Sequence, residues 1–68
     1  MKNKTENKVK EYRTNLGITQ NQLAELVGVT RLTIISLEKK KYDPSVGLAL
    51  KLAKTFGCMV EDLFVVEE

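Results

Sequence analysis

QLAELVGVTRLTIISL, residues Gln22–Leu37, reads as two short helices joined by a tight turn, with Gln20 and Asn21 opening the first of them. Three residues set the geometry. Ala24 is small enough for a second helix to cross close to the first. Gly28, four residues later, supplies the left-handed backbone that ends the first helix. Ile34, ten residues after Ala24, buries the second helix against the first. Leu23, Val27, Val29 and Leu37 lie at spacings that point inward beside them.

Capping signals on both sides agree with this reading. Thr19 precedes the first helix of the pair and Gln22 follows three residues later, a capping box, with Ile18 and Leu23 at the staple positions. Thr30 is the expected N-cap of the second helix, with Val29 and Ile34 as its staple. Caps, staples and inward apolar spacing together describe a helix-turn-helix, a unit that places its second helix in the major groove of DNA.

Outward from this unit, the periodicity predicts a first helix over about Asn7 to Leu16, ended by Gly17. The pair itself covers about Gln20–Val27 and Arg31–Lys39. Pro44 lies in a loop after the third helix, and Ser45 caps a fourth over Val46 to about Phe56, with Leu48, Leu52 and Phe56 on one stripe. Gly57 ends it. A short fifth turn covers Val60–Phe64, and the β-prone tail FVVEE follows, too short to stand alone. Residues 1–6 read as a frayed segment or a short strand. The expected fold is therefore all-α, one compact five-helix domain over residues 1–68 with its core at about 7–64 and a short C-terminal β-strand as an option.

Sixty-eight residues lie near the lower limit for a domain that folds alone. One cysteine and no histidine exclude a disulfide framework or a Cys/His metal site within one chain. Cys58 reads as a small, partly buried hydrophobe, with an intermolecular disulfide as the alternative. No apolar run reaches membrane-spanning length, and the lysine-rich start lacks the apolar segment of a signal peptide, so the expected location is the cytoplasm. Net charge is +2 but unevenly divided: residues 1–41 carry nine Lys/Arg and four Asp/Glu, residues 42–68 two Lys and five Asp/Glu. The basic half holds the helix-turn-helix, as expected of a protein with one face toward phosphate. An enzyme is disfavoured, since there is no catalytic histidine and no glycine-rich phosphate loop. Glu61 and Asp62 are adjacent but point apart on a short helix. No cofactor, metal or small-molecule effector is expected.

Arg13 together with TQNQLAELVGVTR (19–31), TIISLE (33–38), KYDPS (41–45), LALKLAKTF (48–56) and EDLF (61–64) resembles the Cro/Xre-type, lambda-repressor-like helix-turn-helix family of small bacterial and phage regulators. The resemblance implies a homodimeric transcription regulator, a repressor on a palindromic double-stranded DNA operator, with the third helix in the major groove. Base contacts would come from Thr30, Arg31, Leu32, Ile35 and Ser36. Gln20, Thr33, Lys39, Lys40, Lys41 and Tyr42 would meet phosphates, and Arg13 with Glu38 would form a partly buried structural ion pair. This chain departs from the family pattern at Lys40, where a glycine is usual, at Leu32 and Ile35, where polar residues are common, and at Met59, which replaces a polar cap.

Leu63, Phe64, Val65 and Val66 are four apolar residues in a row, and one monomer cannot easily bury both faces of such a run. They are expected to pack across a twofold axis as the dimer contact. The competing function is a protein-interaction module, such as an antitoxin or an anti-repressor-type partner, that uses the exposed Leu32/Ile35 face.

Overall fold

The computed structural model describes residues 4–40 and 43–67. Its elements in chain order are β1 (Lys4–Asn7), α1 (Val9–Leu16), α2 (Gln20–Val27), α3 (Arg31–Glu38), α4 (Val46–Phe56), α5 (Val60–Leu63) and β2 (Phe64–Glu67). The five helices agree with the sequence expectation to within two residues at each end. Met1–Asn3 lie outside the described residues.

Local chemistry explains most boundaries. At the start of α2, Thr19 Oγ1 accepts from the Gln22 backbone N–H at 3.0 Å, while Gln22 Oε1 accepts from the Thr19 N–H at 2.8 Å, which completes the capping box. Thr30 and Ser45 accept from the N–H groups of Thr33 and Leu48 and so cap α3 and α4. Gly28 ends α2 at φ 76°, in the left-handed region that a Cβ disfavours. Met59 has no side chain suited to capping α5; there the Asp62 carboxylate accepts from the Met59 N–H at 3.0 Å instead.

Val9, Leu23, Val27, Ile34, Leu37, Leu52 and Leu63 are the largest fully buried side chains, so every helix contributes to one core. Each such burial is worth about 1.5–3 kcal/mol, and in so small a domain no single one is dispensable. Ala24 and Ala53, both buried, let neighbouring helices approach closely.

The C-terminal strand does not stand alone. β2 pairs antiparallel with β1 in the register Lys4↔Glu67, Thr5↔Val66, Glu6↔Val65, Asn7↔Phe64. The Lys8 N–H donates to the Leu63 carbonyl at 2.9 Å, so the two ends of the chain are stitched where α1 begins and α5 ends. This corrects one expectation. Leu63 does not face a second copy but is fully buried in its own core. It is the last residue of α5, where helical geometry turns it inward before the chain becomes a strand. Phe64 is half-buried against the same core, and Val65 remains 44% exposed. The Val66 side chain lies outside the described residues.

An ion pair locks α1 to the end of α3. Arg13 Nε donates to Glu38 Oε2 at 2.6 Å and Nη2 to Glu38 Oε1 at 3.2 Å, a two-pronged contact. The two side chains are 12% and 4% exposed. Arg13 Nη1 also donates to the Ile18 carbonyl at 2.9 Å, bracing the turn between α1 and α2. Asn7 adds a second tie, its amide donating to the Leu37 carbonyl at 2.9 Å near the end of α3.

Two outcomes follow from this packing. Arg13→Ala strands the Glu38 carboxylate and should destabilise the fold by about 3 kcal/mol in urea unfolding, whereas replacing both partners by methionine should cost less than either single change. Cys58 is half-buried, and burial, helped by the nearby Asp62 carboxylate, pushes its thiol above the ordinary range. Less thiolate is then present at neutral pH. Labelling at pH 7 should be slower than for glutathione and should climb as pH rises past the usual thiol range. A rate equal to that of the free thiol would contradict the assignment.

Candidate nucleic-acid interface

Helix α3 has two sharply different sides. Ile34 and Leu37 are fully buried, while Arg31 is exposed and Leu32 is 71% exposed. Thr33, Ile35 and Ser36 lie between these extremes, each half-buried. Ile35 is therefore less available than the sequence reading expected. It adjoins the buried Ile34 on a helix of only eight residues, where 100° steps leave few positions fully outward.

The start of α3 is held by a small hydroxyl cluster. Thr30 Oγ1 lies 3.3 Å from the Thr33 N–H and 3.1 Å from Thr33 Oγ1. The Thr30 oxygen is thus committed to the cap, which leaves exposed Arg31 and Leu32 as the larger side chains at that end. At the other end, Lys39 closes the helix at φ −83° and Lys40 follows at φ 60°, the only non-glycine residue with positive φ among those described. The Lys40 N–H donates to the Leu37 carbonyl at 3.0 Å. Both lysines are exposed. Lys41 and Tyr42 lie outside the described residues.

Gln20, at the first position of α2, is half-buried. Its amide donates to Glu38 Oε1 at 3.1 Å. That oxygen also receives Arg13, so one carboxylate fixes the start of α2, the end of α3 and the middle of α1. The sequence reading had named the pair but missed Gln20 as its third member and Asn7 as a tie to α3. A polar residue just ahead of a helix is a cap signal that could have flagged Asn7; nothing local to Gln20 announces a contact 18 residues away.

The two groups with displaced titration stand off this surface. Tyr12 packs its ring 5.6 Å from that of Phe56, and burial pushes its phenol above the usual range, with Cys58, Asp62 and Glu11 adding to the effect. Among the described residues, no cluster of three or more His, Cys, Asp or Glu side chains could hold a metal ion, and no helix is long and apolar enough to cross a membrane.

Comparison with known proteins agrees with this geometry. Residues 9–63 match the model of a family described as helix-turn-helix. An uncharacterized HTH-type transcriptional regulator from Methanocaldococcus jannaschii is 53% identical over 62 residues, covering 91% of this chain and 94% of the relative. A second, YgzD from Bacillus subtilis, is 52% identical over 62 residues, again 91% and 94% of the two chains. Among solved structures, the P22 c2 repressor in complex with a synthetic operator superposes with a TM-score of 0.77 at 28% identity, covering 79% of this chain and 82% of that one. Since the matched span runs from the first core residue of α1 to the last of α5, it takes in the whole helical body. The chain belongs to the helix-turn-helix family of DNA-binding transcriptional regulators.

Proposed function

We propose that this regulator is a repressor that binds a palindromic operator as a homodimer, with α3 in the major groove of each half-site. The observation that carries the reading is the polarity of α3: one side buried to the last atom, the other presenting Arg31 and Leu32 at its N-terminal end. Recognition helices of this class meet base edges with that end, and two half-sites lie about 34 Å apart, one turn of the duplex. Each copy carries one such helix, so the proposed palindrome, with two half-sites, calls for two copies.

The proposed roles divide by chemistry. Arg31 and Leu32 read bases directly, with Thr30, Ile35 and Ser36 in support. Gln20, Thr33, Lys39, Lys40, Lys41 and Tyr42 meet phosphates. Gln20 is suited to this because it sits at the N-terminus of α2, where free N–H groups and the helix dipole favour an anion. Arg13 and Glu38 touch no DNA. They hold α3 in position.

A second reading treats Leu32 and Ile35 as the contact for a protein partner, and exposure of Leu32 is what favours it. Two measurements, made on sites selected from random DNA, separate the readings. Arg31→Ala should weaken binding by about 1–3 kcal/mol per half-site and relax preference at one position, as loss of a guanidinium forked onto guanine would. Uniform weakening across sequences with a flatter salt dependence would move Arg31 to the phosphate class. Leu32 has only the thymine methyl as an apolar match in the groove. Replacing one operator thymine by deoxyuridine should cost about 0.8 kcal/mol, the worth of one buried methyl-sized group. If no thymine responds, Leu32 and Ile35 belong to a protein contact.

A further inference from the structure

Asn7 stands where β1 gives way to α1, and its side chain serves two distant elements. Its Oδ1 accepts from the Val9 N–H at 3.3 Å, which satisfies one of the free donors at the start of α1. Its amide nitrogen donates to the Leu37 carbonyl, 30 residues away, at 2.9 Å. An N–H only donates and a carbonyl only accepts, so these two neighbours fix the amide in one orientation. The Leu37 carbonyl lies in the last turn of α3, where carbonyls lose their helical partners. It has two lone pairs, and the Lys40 N–H takes the other at 3.0 Å. Lys40 is the residue held at φ 60°. A left-handed residue with a Cβ persists only where its surroundings over-determine it. Here the hydrogen bond that closes the turn ends on an oxygen that Asn7 anchors from outside the helix.

We infer that Asn7 is a positioning residue for the DNA contact: through the Leu37 carbonyl it holds the Lys39–Lys40 turn in the shape that presents both lysines to phosphate. The step rests on the proposed function, which gives those lysines to phosphate, and adds to that contact a residue that touches no DNA. Both lysines are exposed and leave α3 on this turn, so its shape sets where their charges stand. Asn7 is itself fixed by the terminal sheet. Its backbone pairs with Phe64, and the next N–H, of Lys8, donates to the Leu63 carbonyl at 2.9 Å. The joined ends of the chain thus brace the exit from α3. Arg31 and Leu32, at the other end of that helix, are outside this contact. Asn7 therefore governs how tightly the chain holds a duplex, and leaves base preference to the other end of α3.

Two variants of the full chain isolate the donor. Asn7→Ser keeps an oxygen for the Val9 N–H but is too short to reach Leu37. Asn7→Asp keeps the shape and the acceptor, loses the donor, and serves if the serine variant does not fold. Each should raise the dissociation constant for a duplex selected from random DNA by about tenfold per half-site, the scale of one net hydrogen bond. The ranking of base-substituted duplexes should not change. In the free protein, the Lys40 amide should exchange with deuterium about tenfold faster, since its hydrogen bond opens more often. The deciding comparison repeats Asn7→Ser in a Lys39→Ala/Lys40→Gly background. There it should have no further effect on DNA affinity, although urea unfolding still registers its cost. An equal loss of affinity in both backgrounds would make Asn7 a scaffold residue only and overturn the inference. So would unchanged affinity in Asn7→Ser, or a loss of base preference. A wild type that binds no selected duplex would sink the operator reading, and this inference with it; wild-type binding that Asn7→Ser leaves intact sinks this inference alone.

Discussion

The side-chain contacts that tie α3 to both α1 and α2 converge on the carboxylate of Glu38. It is the last residue of α3, its side chain is 4% exposed, and it receives Arg13 from α1 and Gln20 from α2. A nearly buried carboxylate costs several kcal/mol to desolvate, and only well-placed donors offset that. The three donor contacts from two helices do so, with the consequence that α3 cannot slide or rotate without stranding a charge. An apolar contact at the same place would stabilise as much but would tolerate small shifts. The proposed presentation of Arg31 and Leu32 to base edges would gain from the stricter geometry.

The same carboxylate couples scaffold to surface. Gln20 is both a donor to Glu38 and the first residue of the helix whose N-terminus is proposed to meet a phosphate. Its amide is already held by Glu38, so the proposed phosphate contact would cost it less side-chain entropy. The hydroxyl pair of Thr30 and Thr33 does the same at the start of α3. Rigidity of the interface is thus built from the inside outward, with caps and a buried ion pair rather than from the DNA contacts themselves.

How much of this was legible in the chain depended on range. Caps, glycine ends and the inward stripe of α2 and α3 obey rules that act over three or four residues, and Thr19, Gln22, Gly28, Thr30 and Ser45 gave the helix limits almost to the residue. The Arg13–Glu38 pair spans 25 residues and came only through family resemblance, never from spacing. The pairing of β1 with β2 joins the two ends of the chain, where no local pattern selects a partner. Leu63–Val66 was ambiguous for a different reason. The run changes from helix to strand after Leu63, and with it the period changes from 3.6 to 2, so four adjacent apolar residues have no single face. Reading them as one surface put Leu63 outside when α5 turns it in.

Lys40 shows how a departure from a family pattern can be nearly neutral for stability. At φ 60° it holds a conformation that costs a residue with a Cβ about 1 kcal/mol or more. Two positive charges, Lys39 and Lys40, stand at the C-terminal end of α3, where the dipole is negative, and each such charge stabilises by about 0.3–1 kcal/mol. The strain and the dipole term are of similar size and opposite sign. A glycine at position 40 would remove the strain and that residue's share of the dipole term, and leave the helix ended just as well. What distinguishes the lysine is then its charge at the exit from α3, beside the proposed phosphate contacts, where glycine has nothing to offer an anion. Leu32 obeys a related logic. It is 71% exposed and stands outside the core, so its proposed role is a contact outside the chain. The two substitutions fall at opposite ends of the same helix, so the proposed roles place charge-based attraction at one end and shape-based discrimination at the other.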